Sequence, residues 1–324
     1  MRSSKVFLFQ FFLLLFLIPV LFLTLVRMNT VDTTATEAEF FPQEETYTIL
    51  IHNGGELREM DLEQYVLGVT LAEMPADFEP EALKAQAVVA RTFAWKAAIT
   101  GGKHGDGSVC TNSRCCQGFL SPEMYLRYYG TEEELEKVEN AVHSTNAVVI
   151  TYQGELIEAT YFSSSGGSTE DAVAVWGNYY PYLVSKDSPE PDSVGEATAV
   201  FSRSYLESAL HVRLEGDPNR WFHDWVKTDS GGVANVGIGN GSFSGTELRE
   251  ILNLRSTVFS VRVKNDVVFF FTKGYGHRVG MSQYGAEAMA AQGAGWEEIL
   301  QYYYTGVSLD KIHQLHPLQP SQPS

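Results

Sequence analysis

Glu73 stands between Ala72 and Met74, at the end of a stretch with helical apolar spacing. A carboxyl group buried at a helix C-terminus is pushed toward its neutral form by desolvation and by the negative end of the helix dipole. A carboxylic acid kept protonated near neutral pH is suited to general acid cleavage of a glycosidic bond. The pattern alone leaves a second reading open, a helix-end glutamate facing water or paired with Lys84 or Arg91. Lys84 and Arg91 lie two helical turns apart, so together they could hold a ligand carboxylate, with the arginine bidentate. They could equally be solvated surface. His104, Cys110 and Cys116 follow one another at five-residue gaps, with Cys115 adjacent. Imidazole and thiolate are zinc ligands, and a short loop could gather them. There is no CxxC pair, so a disulfide or free buried thiols remain alternatives.

Two small-residue loops complete the set. Ser163-Ser164-Ser165-Gly166-Gly167 lacks the G-x-S-x-G nucleophile elbow. The run from Gly274 to Gln283, GYGHRVGMSQ, lacks both a P-loop Lys-Ser/Thr and the G-x-G-x-x-G spacing. Both read as turns or as places where backbone approaches a ligand, not as nucleotide sites.

The elements that must position these residues are legible in part. A helix is predicted to start at Asp61, with Gln64 in capping-box position, and to end near Glu73 because Pro75 disfavours helical geometry at Met74. A second runs from Pro80 to Gly101-Gly102. Thr131 to Val142 reads as a charged helix. Thr46 to Ile51 reads as a strand, and Ala147 to Tyr152 with Ile157 to Phe162 as a hairpin around Gln153-Gly154-Glu155. A second strand pair flanks Lys264-Asn265-Asp266. Asp187 to Ala197, rich in Pro, Asp and Glu, reads as loop. Two further helices start at Gln283 and Trp296. Strands and helices without βαβ alternation predict an α+β fold.

The chain has 324 residues, with 23 Lys+Arg against 40 Asp+Glu, a formal charge of −17. That balance argues against nucleic acid as the main partner. Three cysteines are too few for a disulfide scaffold. Val6 to Val26 is uncharged and apolar, long enough to cross a bilayer, and no clear cleavage site follows it. Arg2 and Lys5 precede it, which puts the N-terminus in the cytoplasm and the rest outside. The expected organisation is a cytoplasmic tail over 1–5, a single transmembrane anchor over 6–26, and a linker over 27–45. One large extracellular domain follows over 46–311, then a flexible tail over 312–324.

Four segments together resemble the stage II sporulation protein D family: LEQYVLGVTLAEMPADFEPEALKAQAVVARTFAWKAA from Leu62, KHGDGSVCTNSRCCQGF from Lys103, YFSSSGGSTEDAVAVWG from Tyr161, and GYGHRVGMSQYGAEAMAAQG from Gly274. The resemblance implies a membrane-anchored lytic transglycosylase of endospore-forming bacteria. It would cut MurNAc–GlcNAc bonds of peptidoglycan, preferably stripped of stem peptides, to 1,6-anhydro-MurNAc ends. Glu73 would be the acid, with Asp77 its nearest rival. Lys84 and Arg91, Ser164 and Ser165, and His277 and Gln283 would line the substrate site. His104, Cys110 and Cys116 would hold a structural zinc ion. Arg278 departs from the Gly that many relatives carry there. Implied partners are glycan strands, the amidase stage II sporulation protein P and the membrane recruiter stage II sporulation protein M. The expected location is the sporulation septum and engulfing membrane. The alternatives are a non-catalytic glycan binder that enhances an amidase, and a zinc-dependent amidase.

Overall fold

The structure, a computed structural model, describes residues 46–315 except Gly54 and Asp192. The apolar run over 6–26, its flanks and residues 316–324 lie outside that range. Among the described residues, no helix is long and apolar enough to cross a membrane.

The fold is α+β. Strands β1 (Thr48–Asn53) and β2 (Glu56–Asp61) pair antiparallel and lead into helix α1 (Leu62–Glu73). The Asp61 side chain accepts from the Gln64 N–H at 3.0 Å, which caps α1. Helix α2 (Pro80–Thr100) starts on its proline and ends at Gly101, whose φ of 91° needs glycine. Strand β3 (Val109–Cys110) joins β1 in parallel and carries the first cysteine. Helices α3 (Pro122–Tyr128) and α4 (Glu132–Ser144) follow. Helices α1 and α2 are apolar on more than one side. One face of the pair packs with Ile49, Ile51, Val109 and Val149, and the other with Ile150, Met281, Ile299 and Tyr303.

The predicted hairpin is only partly present. Strands β4 (Val148–Tyr152) and β5 (Glu155–Leu156) pair through Thr151 and Leu156. The chain then leaves that sheet. Tyr161 and Phe162 form β6, which pairs in parallel with β13 (Met281–Ser282). This short pairing brings the two small-residue loops side by side. The isolated bridge between Ser164 and Tyr275 extends the contact.

Helix α5 (Ala172–Trp176) is followed by a segment with its own core. It holds strand β7 (Ala197–Ser202), helix α6 (Arg203–Leu210), the antiparallel strands β8 (Phe222–Lys227), β9 (Val233–Ile238) and β10 (Gly241–Phe243), helix α7 (Gly245–Ile251), and strands β11 (Val258–Lys264) and β12 (Val267–Lys273). Leu206, Trp221, Val236, Leu248 and Phe270 fill it. The β11–β12 hairpin forms as predicted, turning through Asn265 and Asp266, both at positive φ.

Helices α8 (Gln283–Ala291) and α9 (Trp296–Tyr303) and strand β14 (Ser308–Lys311) close the chain. Of the expected tail over 312–324, residues 312–315 are described, and Ile312–Gln314 form a short 3-10 turn. Ile312 is 5% exposed, and its N–H donates to Ala147 O at 2.9 Å, so the chain is packed at this residue.

Candidate active site

Helix α1 delivers Glu73 as its last residue. Met74 then turns to extended geometry, φ −128° and ψ 136°, as a residue before proline does. The Glu73 side chain is half-buried. Burial raises its carboxyl above the usual range, while hydrogen bonds from the Gly118 N–H and the Tyr161 side chain oppose that rise. The Gly118 amide donates to Oε1. A Cβ at Gly118 would lie 2.9 Å from the same carboxylate oxygen, so a side chain there would displace the Glu73 carboxylate. Neither Lys84 nor Arg91 is among the groups acting on Glu73.

A polar chain stands behind the carboxylate. Tyr65 Oη donates to Gln117 Oε1 at 3.4 Å, and Gln117 Nε2 donates to Tyr161 Oη at 3.2 Å. With its lone pair taken by Gln117, the Tyr161 hydroxyl has its proton free for Glu73. Burial, and then the Glu73 charge, push the Tyr161 phenol well above its ordinary range, so it stays a donor.

Gln283, the first residue of α8, also reaches this point. Its Nε2 donates to the backbone carbonyl of Glu73 at 2.9 Å and to Gln86 Oε1 at 3.3 Å. It satisfies a helix-end carbonyl and fixes where Glu73 leaves the helix. His277 packs against Phe162 and Trp176, with ring centroids 5.7 and 5.3 Å away. Burial and then the Arg249 charge push its pKa down to about 4, so the imidazole is neutral at physiological pH. Its Nδ1 accepts from the Val279 N–H at 3.2 Å, which assigns the proton to Nε2.

Four of the expected substrate residues already have partners within the fold. Arg91 is fully buried and bound by Glu63 through both Nε and Nη2, at 2.7 and 2.5 Å. It also donates to the carbonyls of Val148 and Val142. It therefore joins α1, α2, α4 and β4 and is unavailable to a ligand. Lys84 is held by Glu81 at 2.6 Å, and Glu81 also accepts the Trp296 N–H that opens α9. Helical spacing placed the two cations on one side of α2 but could not say that other elements cover that side. Ser164 and Ser165 are also fully buried. Ser165 Oγ donates to Glu190 at 2.7 Å, and Ser164 exchanges backbone bonds with Tyr275.

Glu190 was missed because it sits in a segment whose composition reads as exposed loop. It is 7% exposed. Its carboxylate accepts from the Ser165 and Gly166 amides and from the hydroxyls of Ser165, Ser188 and Ser282. Ser282 is the N-cap of α8. One buried carboxylate thus ties the serine loop to the helix that carries Gln283. Arg278 does the same on the other side. It is fully buried, with φ 68°, a conformation favoured by glycine. Its guanidinium meets Glu170 at 2.9 Å and donates to the carbonyls of Ser165, Ser168 and Ser230. Thr228, between β8 and β9, donates to the same Glu170 oxygen at 2.6 Å and so holds this ion pair from a second side.

The cysteine loop closes on itself. The ligand atoms of His104, Cys110, Cys115 and Cys116 all lie within 4.8 Å of one another. Cys116 Sγ lies 3.5 Å from His104 Nε2. A tetrahedral zinc with Zn–S of about 2.3 Å and Zn–N of about 2.0 Å requires an N···S edge of roughly 3.5 Å, so the donors fit that ion. The loop runs directly into Gln117 and Gly118, the residues that face Tyr161 and Glu73.

The family model described as "Stage II sporulation protein" matches residues 52–152. The chain is 37% identical over 256 residues to Stage II sporulation protein D of Bacillus subtilis (strain 168), covering 77% of this chain and 74% of that protein. The protein of the same name from Bacillus amyloliquefaciens matches at the same identity and coverage. An "Amidase enhancer" of Bacillus subtilis (strain 168) is 29% identical over 300 residues, covering 75% of this chain and 40% of that protein.

Proposed function

The chain belongs to the stage II sporulation protein D family, and from that premise we propose that it is a lytic transglycosylase cutting MurNAc–GlcNAc bonds of peptidoglycan freed of stem peptides. The observation that carries this reading is the Glu73 carboxyl. It is half-buried, raised in pKa and served by two hydrogen-bond donors, and none of the groups setting its pKa is a second carboxylate. Glu73 gives its proton to the bridging oxygen as the bond from that oxygen to MurNAc C1 breaks. Positive charge develops on the ring, as in an oxocarbenium ion. The Gly118 N–H and the Tyr161 hydroxyl stabilise the carboxylate so formed. That carboxylate then takes the proton of the sugar's own C6 hydroxyl as its oxygen bonds to C1, which closes the 1,6-anhydro ring. Because the nucleophile is intramolecular, one carboxyl serves both steps and no second acid is needed.

His104, Cys110 and Cys116 would hold a structural zinc ion, which when bound crosslinks the loop and supplies no step. In this reading residues 6–26 anchor the domain outside the membrane of the sporulation septum. The amidase stage II sporulation protein P and the recruiter stage II sporulation protein M are its proposed partners there. The relative named an amidase enhancer supports a second reading, a glycan binder without cleavage. Digestion of denuded peptidoglycan, followed by mass spectrometry, separates them. Anhydro-MurNAc ends that vanish in Glu73→Gln support cutting. Bound but intact glycan supports the binder. Stem peptides released in a chelator-sensitive way would indicate a zinc amidase.

A further inference from the structure

We propose that Cys115 is the fourth ligand of a closed zinc site built from one histidine and three cysteines, and that this site holds the Gly118 amide against Glu73. The inference rests on the reading of His104, Cys110 and Cys116 as zinc ligands, and adds a residue and a consequence to it.

The geometry carries the first half. Cys115 Sγ lies 3.9 Å from Cys116 Sγ and 3.9 Å from His104 Nε2. A tetrahedron with Zn–S of about 2.3 Å has S···S edges of roughly 3.8 Å. The Cys115–Cys116 separation is therefore that of a coordination sphere rather than of a disulfide, whose sulfurs would be bonded at about 2.05 Å. All three cysteines are free. Four protein ligands leave the metal no open position, the mark of a structural zinc rather than one that activates water.

Chain order carries the second half. Cys115 and Cys116 both donate their amides to Asn112 O at 2.9 Å, and Lys103 Nζ reaches Cys115 O. Gln117 and Gly118 come next and make the contacts with Tyr161 and Glu73. The Leu120 N–H then donates to Gly68 O at 2.9 Å, returning the loop to α1. The Gly118 amide is thus suspended between the metal turn and the helix that carries Glu73. Removing the metal frees one of its two attachments.

X-ray absorption at the zinc K-edge of the purified, zinc-loaded protein tests the ligand set without any substitution. Three sulfurs near 2.3 Å and one nitrogen near 2.0 Å are expected, at roughly the distances usual for these ligands. Two sulfurs with two lighter atoms would overturn the role of Cys115 and leave the zinc reading standing. Protein that takes up no zinc, with a mass lower by two hydrogens, would overturn both. Hydrogen exchange tests the consequence. Exchange across residues 116–119 should rise roughly tenfold or more on zinc removal and in Cys115→Ser, with α4 unchanged. Equal exchange with and without zinc would overturn the coupling to Glu73. None of these readouts involves glycan cleavage, so they stand or fall apart from the transglycosylase reading.

Discussion

At Glu73 two opposed influences meet on one carboxyl. Burial favours the acid, and two donors favour the carboxylate. A group that gives a proton and then takes one back, the role proposed for Glu73, needs both, because neither form can be too costly. Glu73→Gln keeps the shape and removes the proton, so cleavage should fall on the order of 10²–10⁴-fold while glycan binding persists. Mass spectrometry of digests and a pull-down on denuded glycan check the two halves. The raised pKa also has a sign in stability. The folded state disfavours ionised Glu73, so the parent loses stability relative to Glu73→Gln as pH rises through the carboxylate range. Melting curves should show the variant more stable at pH 7, with the gap closing once both states are protonated. Tyr161→Phe removes a donor that favours the carboxylate. The Glu73 pKa should then rise, and the alkaline limb of the cleavage profile should move to higher pH. An unmoved limb would mean that Tyr161 does not bond the acid.

Among the elements, α1 and α2 are tied together by the Arg91–Glu63 ion pair. Arg91 has no exposure and four hydrogen bonds, and removing one partner of a buried ion pair costs about 3–5 kcal/mol. Arg91→Ala should show that loss in denaturant melts, whereas Lys84→Ala should change stability by less than about 1 kcal/mol. Gly68 is the less obvious case. Glycine inside a helix costs about 1 kcal/mol relative to alanine. Yet a Cβ at Gly68 would lie 2.2 Å from the Phe119 ring, next to Gly118. Gly68→Ala should therefore destabilise by about 1–3 kcal/mol and lower activity through the displaced Gly118 amide. Helix ends were legible because Asp61, Pro80 and Gly101 act on their own neighbours. The partners of Glu73 were not, because Gly118 lies 45 residues away and meets it only through the fold. The burial of the serine loop was illegible for the same reason. Its buried partner, Glu190, belongs to a loop whose composition suggests water.

The whole molecule is acidic, at −17, and its proposed substrate is acidic too once stem peptides leave the lactyl carboxylates of the glycan exposed. The cations that the sequence offered as a local offset are already engaged. Arg91 is buried in an ion pair, and Lys84 is held by Glu81. Long-range attraction would therefore not bring the protein to its proposed glycan substrate, and the summed field should oppose the encounter. Screening weakens that opposition, since the Debye length falls from about 10 Å at 0.1 M salt toward 3 Å at 1 M. Contacts at Glu73 itself are short and half-buried, so salt should leave them nearly unchanged. The expected outcome is a KM for denuded glycan that falls as salt is raised from about 0.05 to 0.5 M, with kcat nearly constant. Steady-state digestion of soluble glycan fragments over that range checks it. A KM that rises with salt would show a basic surface recruiting the glycan, and would move the search for the substrate path toward that surface.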